Sequence, residues 1–186
     1  MPSEWEKQQF VRALKGALEA IPALPKLTYA AIIAQAAYES GWGFTPQAIQ
    51  GCNYWNLSAG SVEHGRASSW PEPRPVMTGM DKEPDGKGGW KPVTQLWRVY
   101  DHPVGAAEDF LRTLSWPRYQ PARDALMVGQ GERFIDLLGP DRSHQSPPVG
   151  GWYTLPTARY LARWSACLAE VQAQIGDTLE RESHFV

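Results

Sequence analysis

Apolar positions recur at helical spacing in four stretches of the chain and lose that spacing in one long stretch between them. Trp5, Phe10, Leu14 and Leu18 repeat at helical intervals, and Ser3 followed three residues later by Glu6 supplies a capping box at the start. The segment "IPALPK" ends this first helix. Tyr29, Ile32, Ile33, Ala36 and Ser40 predict a second helix of about three turns, closed by Gly41. Val104, Ala107, Phe110, Leu111 and Leu114 mark another, with Pro103 suited to its first turn. Shorter helices are expected near residues 121–128 and 131–138, and a last one from about Pro156 to Ile175.

Between Trp42 and about Gly89 the periodicity stops, and Gly, Pro, Ser and Asn dominate. "PDGKGG" reads as a turn, and "WKPVTQLWRVY" after it has the β-branched and aromatic content of a strand, so residues 70–100 are expected to hold a small β-hairpin lobe. The pattern therefore predicts an α+β, mainly α fold in a single domain, 1–186. Its helical lobe comprises about residues 1–60 and 101–180, its β-lobe lies within about 61–100, and the two form the walls of a cleft.

Composition narrows what the cleft could hold. A formal net charge of −2 on 186 residues argues against a surface built to neutralise nucleic acid phosphates or anionic lipid. Nine Trp and seven Tyr exceed what a core of this size needs and suit flat platforms for sugar rings. No run of about 18 apolar residues exists, so no membrane insertion is expected. Nor does the opening "MPSEWEKQQF" carry the uninterrupted apolar core of a signal peptide. Cys52 and Cys167 fit no metal spacing and read as reduced thiols, and the four His form no ligand pattern, so neither a metal nor another cofactor is expected.

One acid stands out. In "AAYESGWG", Glu39 follows Ile32 by seven positions and Ala36 by three, which sends its side chain out on the apolar face of the second helix. Apolar surroundings and the negative end of the helix dipole both disfavour its carboxylate, and a Glu kept protonated near neutral pH is what a general acid requires. The alternative on position alone is a Glu that turns to solvent or pairs with Arg159 or Arg163. The Gly-Trp-Gly that follows lets backbone approach closely and sets an aromatic ring beside the acid.

At this point the sequence resembles a family. "IIAQAAYESGWG" is similar to the catalytic-helix motif of the bacterial cell-wall N-acetylglucosaminidases of glycoside hydrolase family 73. "NYWNLSAG" resembles the Tyr-Asn-Leu-Phe-Gly segment that follows, with Ser58 and Ala59 departing from Phe-Gly. "WRVYDHPVGAAEDFLRTL", "WPRYQPA" and "GGWYTLPTARYLARW" resemble three further segments in the family's order. The resemblance implies a lysozyme-like helical lobe facing a small β-hairpin lobe across a cleft that binds the glycan strands of peptidoglycan. Glu39 falls on the general acid, which would protonate the oxygen of a β-1,4 bond between N-acetylglucosamine and N-acetylmuramic acid.

The same likeness implies a second acid in the β-lobe. The β region holds Glu63, Glu72, Asp81, Glu83 and Asp85, and the family's spacing lands on Glu83, with Asp81 and Glu72 behind it. Tyr153 matches the family's tyrosine near the catalytic Glu, and Asn56 its asparagine. Trp42, Tyr54, Trp55 and Tyr119 are the expected sugar contacts, each with an ordinary place in the core as the alternative. A lytic transglycosylase, which shares the helical lobe and one essential Glu, is the nearer rival to a hydrolase, and a non-catalytic glycan-binding module is the more distant one. For a chain made in the cytosol the wall is reached by release from a phage-infected cell or by injection into a rival's periplasm, and the second route implies a cognate immunity protein plugging the cleft.

Overall fold

The structure, a computed structural model, describes residues 1–85, 89–139 and 157–183. Helix α1 (Glu4–Glu19) starts with the expected box: Ser3 Oγ accepts from the Glu6 amide at 3.3 Å, and Glu6 Oε2 accepts from the Ser3 amide at 2.7 Å. Its buried face is Phe10, Val11, Leu14, Ala17 and Leu18. Trp5 is not part of it and is 67% exposed. At 100° per residue the five positions from Trp5 to Phe10 amount to a turn and about 140°, which puts the indole on the opposite side.

After a single 3-10 turn (Lys26–Thr28), helix α2 (Tyr29–Ser40) runs through the middle of the molecule, with every residue from Ala31 to Ala37 buried. An apolar surface on all sides is what lets one helix pack against both α1 and α7 (Thr157–Ser183). It stops where the sequence places the stop: Gly41 takes φ 55°, ψ 48° and returns its N–H to Ala37 O. Helices α4 (Pro103–Leu114), α5 (Gln120–Met127) and α6 (Gly131–Leu138) fall where periodicity puts them, and α7 continues to Ser183, beyond the expected Ile175.

The low-periodicity stretch holds more structure than its composition suggests. A short helix α3 (Pro46–Gly51) is capped by Thr45 Oγ1, which accepts from the Ala48 amide. Four strands, β1 (Ser58–Ser61), β2 (Gly65–Arg66), β3 (Val76–Pro84) and β4 (Trp90–Arg98), form an antiparallel sheet in the order β2-β1-β4-β3. The β3–β4 hairpin matches the expected lobe, with register running from Val76 opposite Arg98 to Pro84 opposite Trp90. The architecture is α+β, mainly α, as the pattern predicts.

A buried ionic knot ties sheet to helix. Arg98, near the end of β4, donates from Nη1 to Asp109 of α4 at 2.7 Å and from Nε to Ser58 O at 2.8 Å. Tyr100 Oη also donates to Asp109, at 2.6 Å, and Arg112 adds a further contact. Beside it, fully buried Asn53 donates to Leu57 O and Arg98 O and accepts from the Leu57 amide. These bonds fix the loop that leads from α3 to β1. Among the described residues both cysteines are free, no helix is long and apolar enough to cross a membrane, and no group of three or more His, Cys, Asp or Glu is placed to hold a metal ion.

Candidate active site

The sheet and the helical body enclose an open cleft of about 1150 Å³, and Glu39 lies in its lining. The C-terminal turn of α2 brings the carboxyl there, and partners from three elements hold it. Gln35, one turn earlier, donates to Oε1 at 3.2 Å, Tyr160 of α7 donates its hydroxyl to the same oxygen, and Asn56 Nδ2 reaches Oε2 at 3.3 Å. Gln35 also donates to Tyr160 Oη at 2.7 Å, and the Tyr38 ring meets Tyr160 edge-on with centroids 4.5 Å apart. The tyrosine is thereby fixed from two sides.

Asn56 sits at φ 50°, in the left-handed region where asparagine is tolerated better than most residues. That conformation turns its amide back toward α2, where Nδ2 donates to the Glu39 main-chain carbonyl at 2.8 Å as well as to the carboxylate. A bulge in β1 between Ser58 and Gly60 then bends the strand along the cleft, and Gly60, at φ 107°, packs so tightly on the backbone of Gly65 and Arg66 that no side chain fits there.

Removal from water pushes the Glu39 carboxyl up from its ordinary 4.5 to about 7, against the opposing hydrogen bonds from Tyr160 and Asn56. A carboxylic acid half-protonated near neutral pH, held by oriented donors in a roomy cleft, can deliver a proton to a bound ether or glycosidic oxygen. Because Tyr160 favours the ionised form, Tyr160→Phe is expected to raise the Glu39 pKa further. The alkaline limb of the activity profile, near pH 7 in the wild type, should move upward, with a loss of about tenfold in kcat from poorer orientation. A pH series of initial rates checks this; an unmoved limb would mean that Tyr160 does not act through Glu39.

The other expected site residues divide into two groups. Asn56 and Tyr119 line the cleft, and Tyr119 stacks on Trp116 with centroids 6.5 Å apart. Trp42, Tyr54 and Trp55 do not line it, which corrects the sugar contacts expected there. Trp55 is fully buried, stacked on Phe110 at 4.9 Å, and spends its indole N–H on Ile32 O. Trp42 and Tyr54 both pack edge-on against Phe10, each at 5.8 Å, and Lys7 Nζ lies over the Trp42 ring at 5.3 Å. Tyr153 lies outside the described residues.

Glu83 is on β3 but is not among the residues lining the cleft. His64 Nε2 and Lys91 Nζ both approach it at 2.9 Å, and these contacts hold its carboxyl below the ordinary value. Asp81, two residues earlier, does line the cleft, as do Lys82, Trp90 and Trp97 of the same hairpin. Sequence reasoning missed Gln35 and Tyr160. Gln35 lies one turn before Glu39 on the buried helix, so a polar residue in "IIAQAAYES" was a readable signal. Nothing local distinguishes Tyr160 from the other tyrosines, since a fold 121 positions apart in sequence brings it to Glu39.

No family model and no curated protein sequence matches the chain. Solved structures do. A mutant of a peptidoglycan hydrolase from Sphingomonas sp. A1 superposes with a TM-score of 0.60 at 21% identity, covering 91% of this chain and 99% of the other. The catalytic domain of the autolysin Auto from Listeria monocytogenes gives a TM-score of 0.57 at 17% identity, with 92% and 88% covered. A C-terminally truncated glycoside hydrolase domain of FlgJ from Salmonella typhimurium gives 0.54 at 21%, with 90% and 98% covered. The chain shares the fold of these three structures. That fold is consistent with the resemblance to glycoside hydrolase family 73 carried by "IIAQAAYESGWG" and the segments after it.

Proposed function

We propose that this chain is a peptidoglycan hydrolase, an endo-β-1,4-N-acetylglucosaminidase that cleaves between N-acetylglucosamine and N-acetylmuramic acid with Glu39 as general acid. The observation that carries the reading is the Glu39 carboxyl itself, shifted to about 7 at the wall of a cleft that also offers the Trp116–Tyr119 pair. The shared fold with structures described as peptidoglycan hydrolases and as a glycoside hydrolase domain supports the substrate class.

In this reading the Glu39 proton passes to the glycosidic oxygen as the bond from the anomeric carbon breaks, and the leaving sugar departs as an alcohol. Positive charge gathers on the anomeric carbon and the ring oxygen. Net addition of water at that carbon completes hydrolysis by one of two routes. Asp81 takes the water's proton, because it shares the cleft with Glu39 whereas Glu83 is engaged by His64 and Lys91; or the substrate's own 2-acetamido oxygen displaces the leaving sugar as an internal nucleophile, and ionised Glu39 takes the proton of the water that then opens the ring. Asp81→Asn is expected to lower kcat by about a hundredfold and Glu83→Gln by less than about threefold. The reverse order would return the role to Glu83, and two small effects would favour the route in which the acetamido group attacks.

The identifying experiment is digestion of purified peptidoglycan, borohydride reduction and mass spectrometry of the terminal sugars. Glucosaminitol ends are expected. Muramitol ends would make the protein a muramidase, and 1,6-anhydro ends a lytic transglycosylase.

A further inference from the structure

The cleft carries unbalanced charge. Among the described residues that line it, Asp81 is the anion left once Glu39 is protonated, whereas Lys82, Arg118 and Arg163 are cations. None of the three has an ion pair with a described carboxylate, although such pairs engage Lys7, Lys15, Lys91 and Arg112 elsewhere. Arg98 also lines the cleft but is neutralised by buried Asp109. The excess is therefore local, in a chain whose formal net charge is −2.

The positions of the two arginines are specific. Arg118 lies over the Tyr119 ring at 4.5 Å and the Trp116 ring at 5.4 Å, so stacking holds its guanidinium at the cleft wall. Arg163 follows Tyr160 by three residues on α7, which puts it about one helical turn from the tyrosine that holds Glu39. A bare strand offers such groups one carboxylate per disaccharide, the lactyl group of muramic acid. A strand whose muramic acid residues carry peptides exchanges it for the several free carboxylates that each stem peptide ends in and branches into, and the planar guanidinium fork matches a carboxylate's two oxygens.

We infer that Arg118 and Arg163, aided by Lys82, bind the carboxylates of the stem peptides, making peptide-substituted glycan rather than bare glycan the preferred substrate. This rests on the hydrolase reading and adds to it a selectivity that Glu39 does not supply. Glu39 acts on the sugar linkage, and the arginines read what hangs from the sugar.

The test uses sacculi in two forms, intact and stripped of peptides by an amidase, which leaves only the lactyl carboxylate on each muramic acid, with initial release of reducing ends measured on each. The wild type is expected to show kcat/KM about tenfold higher on intact material at low salt, with the ratio shrinking as salt screens exposed charges. Arg118→Gln combined with Arg163→Gln should bring the ratio below about threefold, mainly through KM. Both side chains are exposed, so an unchanged melting temperature confirms that folding is intact. Equal cleavage of both forms by the wild type, or an undiminished ratio in the double variant, overturns the inference while leaving the hydrolase in place. Cleavage of neither form overturns the hydrolase reading and this inference with it.

Discussion

Glu39→Gln is expected to abolish lysis, lowering the rate of reducing-end release by about a thousandfold or more, within the range that one general acid supplies. Glutamine keeps the shape of the acid and its Oε1 still accepts from Tyr160 and Gln35, so the loss would come from the missing proton rather than from a collapsed site. Retention of more than about a tenth of wild-type activity would remove Glu39 from the role of acid. A second readout comes from linkage. The folded-state pKa of about 7 exceeds the ordinary 4.5, so the stability associated with the neutral carboxyl is fully present below pH 4.5 and is lost as pH rises through 7. Allowing for the residue's partial exposure, the loss is about 1–2 kcal/mol. Glu39→Gln, which cannot ionise, should therefore match wild-type stability at pH 4.5 and exceed it at pH 8. Denaturant titrations at the two pH values check this, and a variant less stable at pH 8 would mean that the carboxyl is not held against its charge.

The helices were legible because burial of one face imposes a period that short-range pattern reveals, and α2 was the clearest because its burial is nearly complete. Glu39 was legible for the same reason: its phase with Ile32 and Ala36 puts its side chain on the apolar face of the helix. Its bonds were not, since the expected alternative of a partner at Arg159 or Arg163 gave way to Tyr160, which lies on the same stretch of α7 but faces the other helix. Trp5 and the Trp42–Trp55 aromatics failed in opposite directions. Aromatic content announces neither a core nor a platform, and only the packing against Phe10 and Phe110 decides it. Strands β1 and β2 were invisible because "SAGS" and "GR" have no β propensity of their own and exist through pairing with β4 and with each other. The β-lobe acid was the hardest choice, since counting along a motif gives a position on a hairpin but not which side chains reach into the cleft.

Asp109→Ala is expected to be the most damaging substitution away from Glu39, costing about 3–5 kcal/mol of stability. Asp109 is 1% exposed and Arg98 3%, and removing the carboxylate would leave the guanidinium buried with no counter-charge. For a chain of this length that corresponds to a fall in melting temperature of about 10 °C. Burial works to raise the Asp109 pKa, but hydrogen bonds from Tyr100, Arg98 and Arg112 together outweigh it and hold it below the ordinary 3.8. A depressed carboxyl pKa contributes stability that is present above the unfolded value and lost as pH falls through the folded one. The gap between wild type and variant should therefore be widest at neutral pH and narrow below about pH 3.8. Arg98→Met with Asp109→Leu, which removes both charges, should recover most of the lost stability. The same bonds carry a functional consequence. Arg98 grips Ser58 O and receives Asn53 on its own carbonyl, and between those two anchors lies Asn56, which touches the Glu39 carboxyl. Asp109→Ala should thus lose activity at temperatures where it is still folded, through looser support of Asn56, whereas Lys15→Ala, which breaks the Lys15–Glu19 pair within α1, should not. A fall in stability below about 1 kcal/mol would show that the ionic knot does not hold the sheet to α4, and full activity in the folded variant that it does not support the acid.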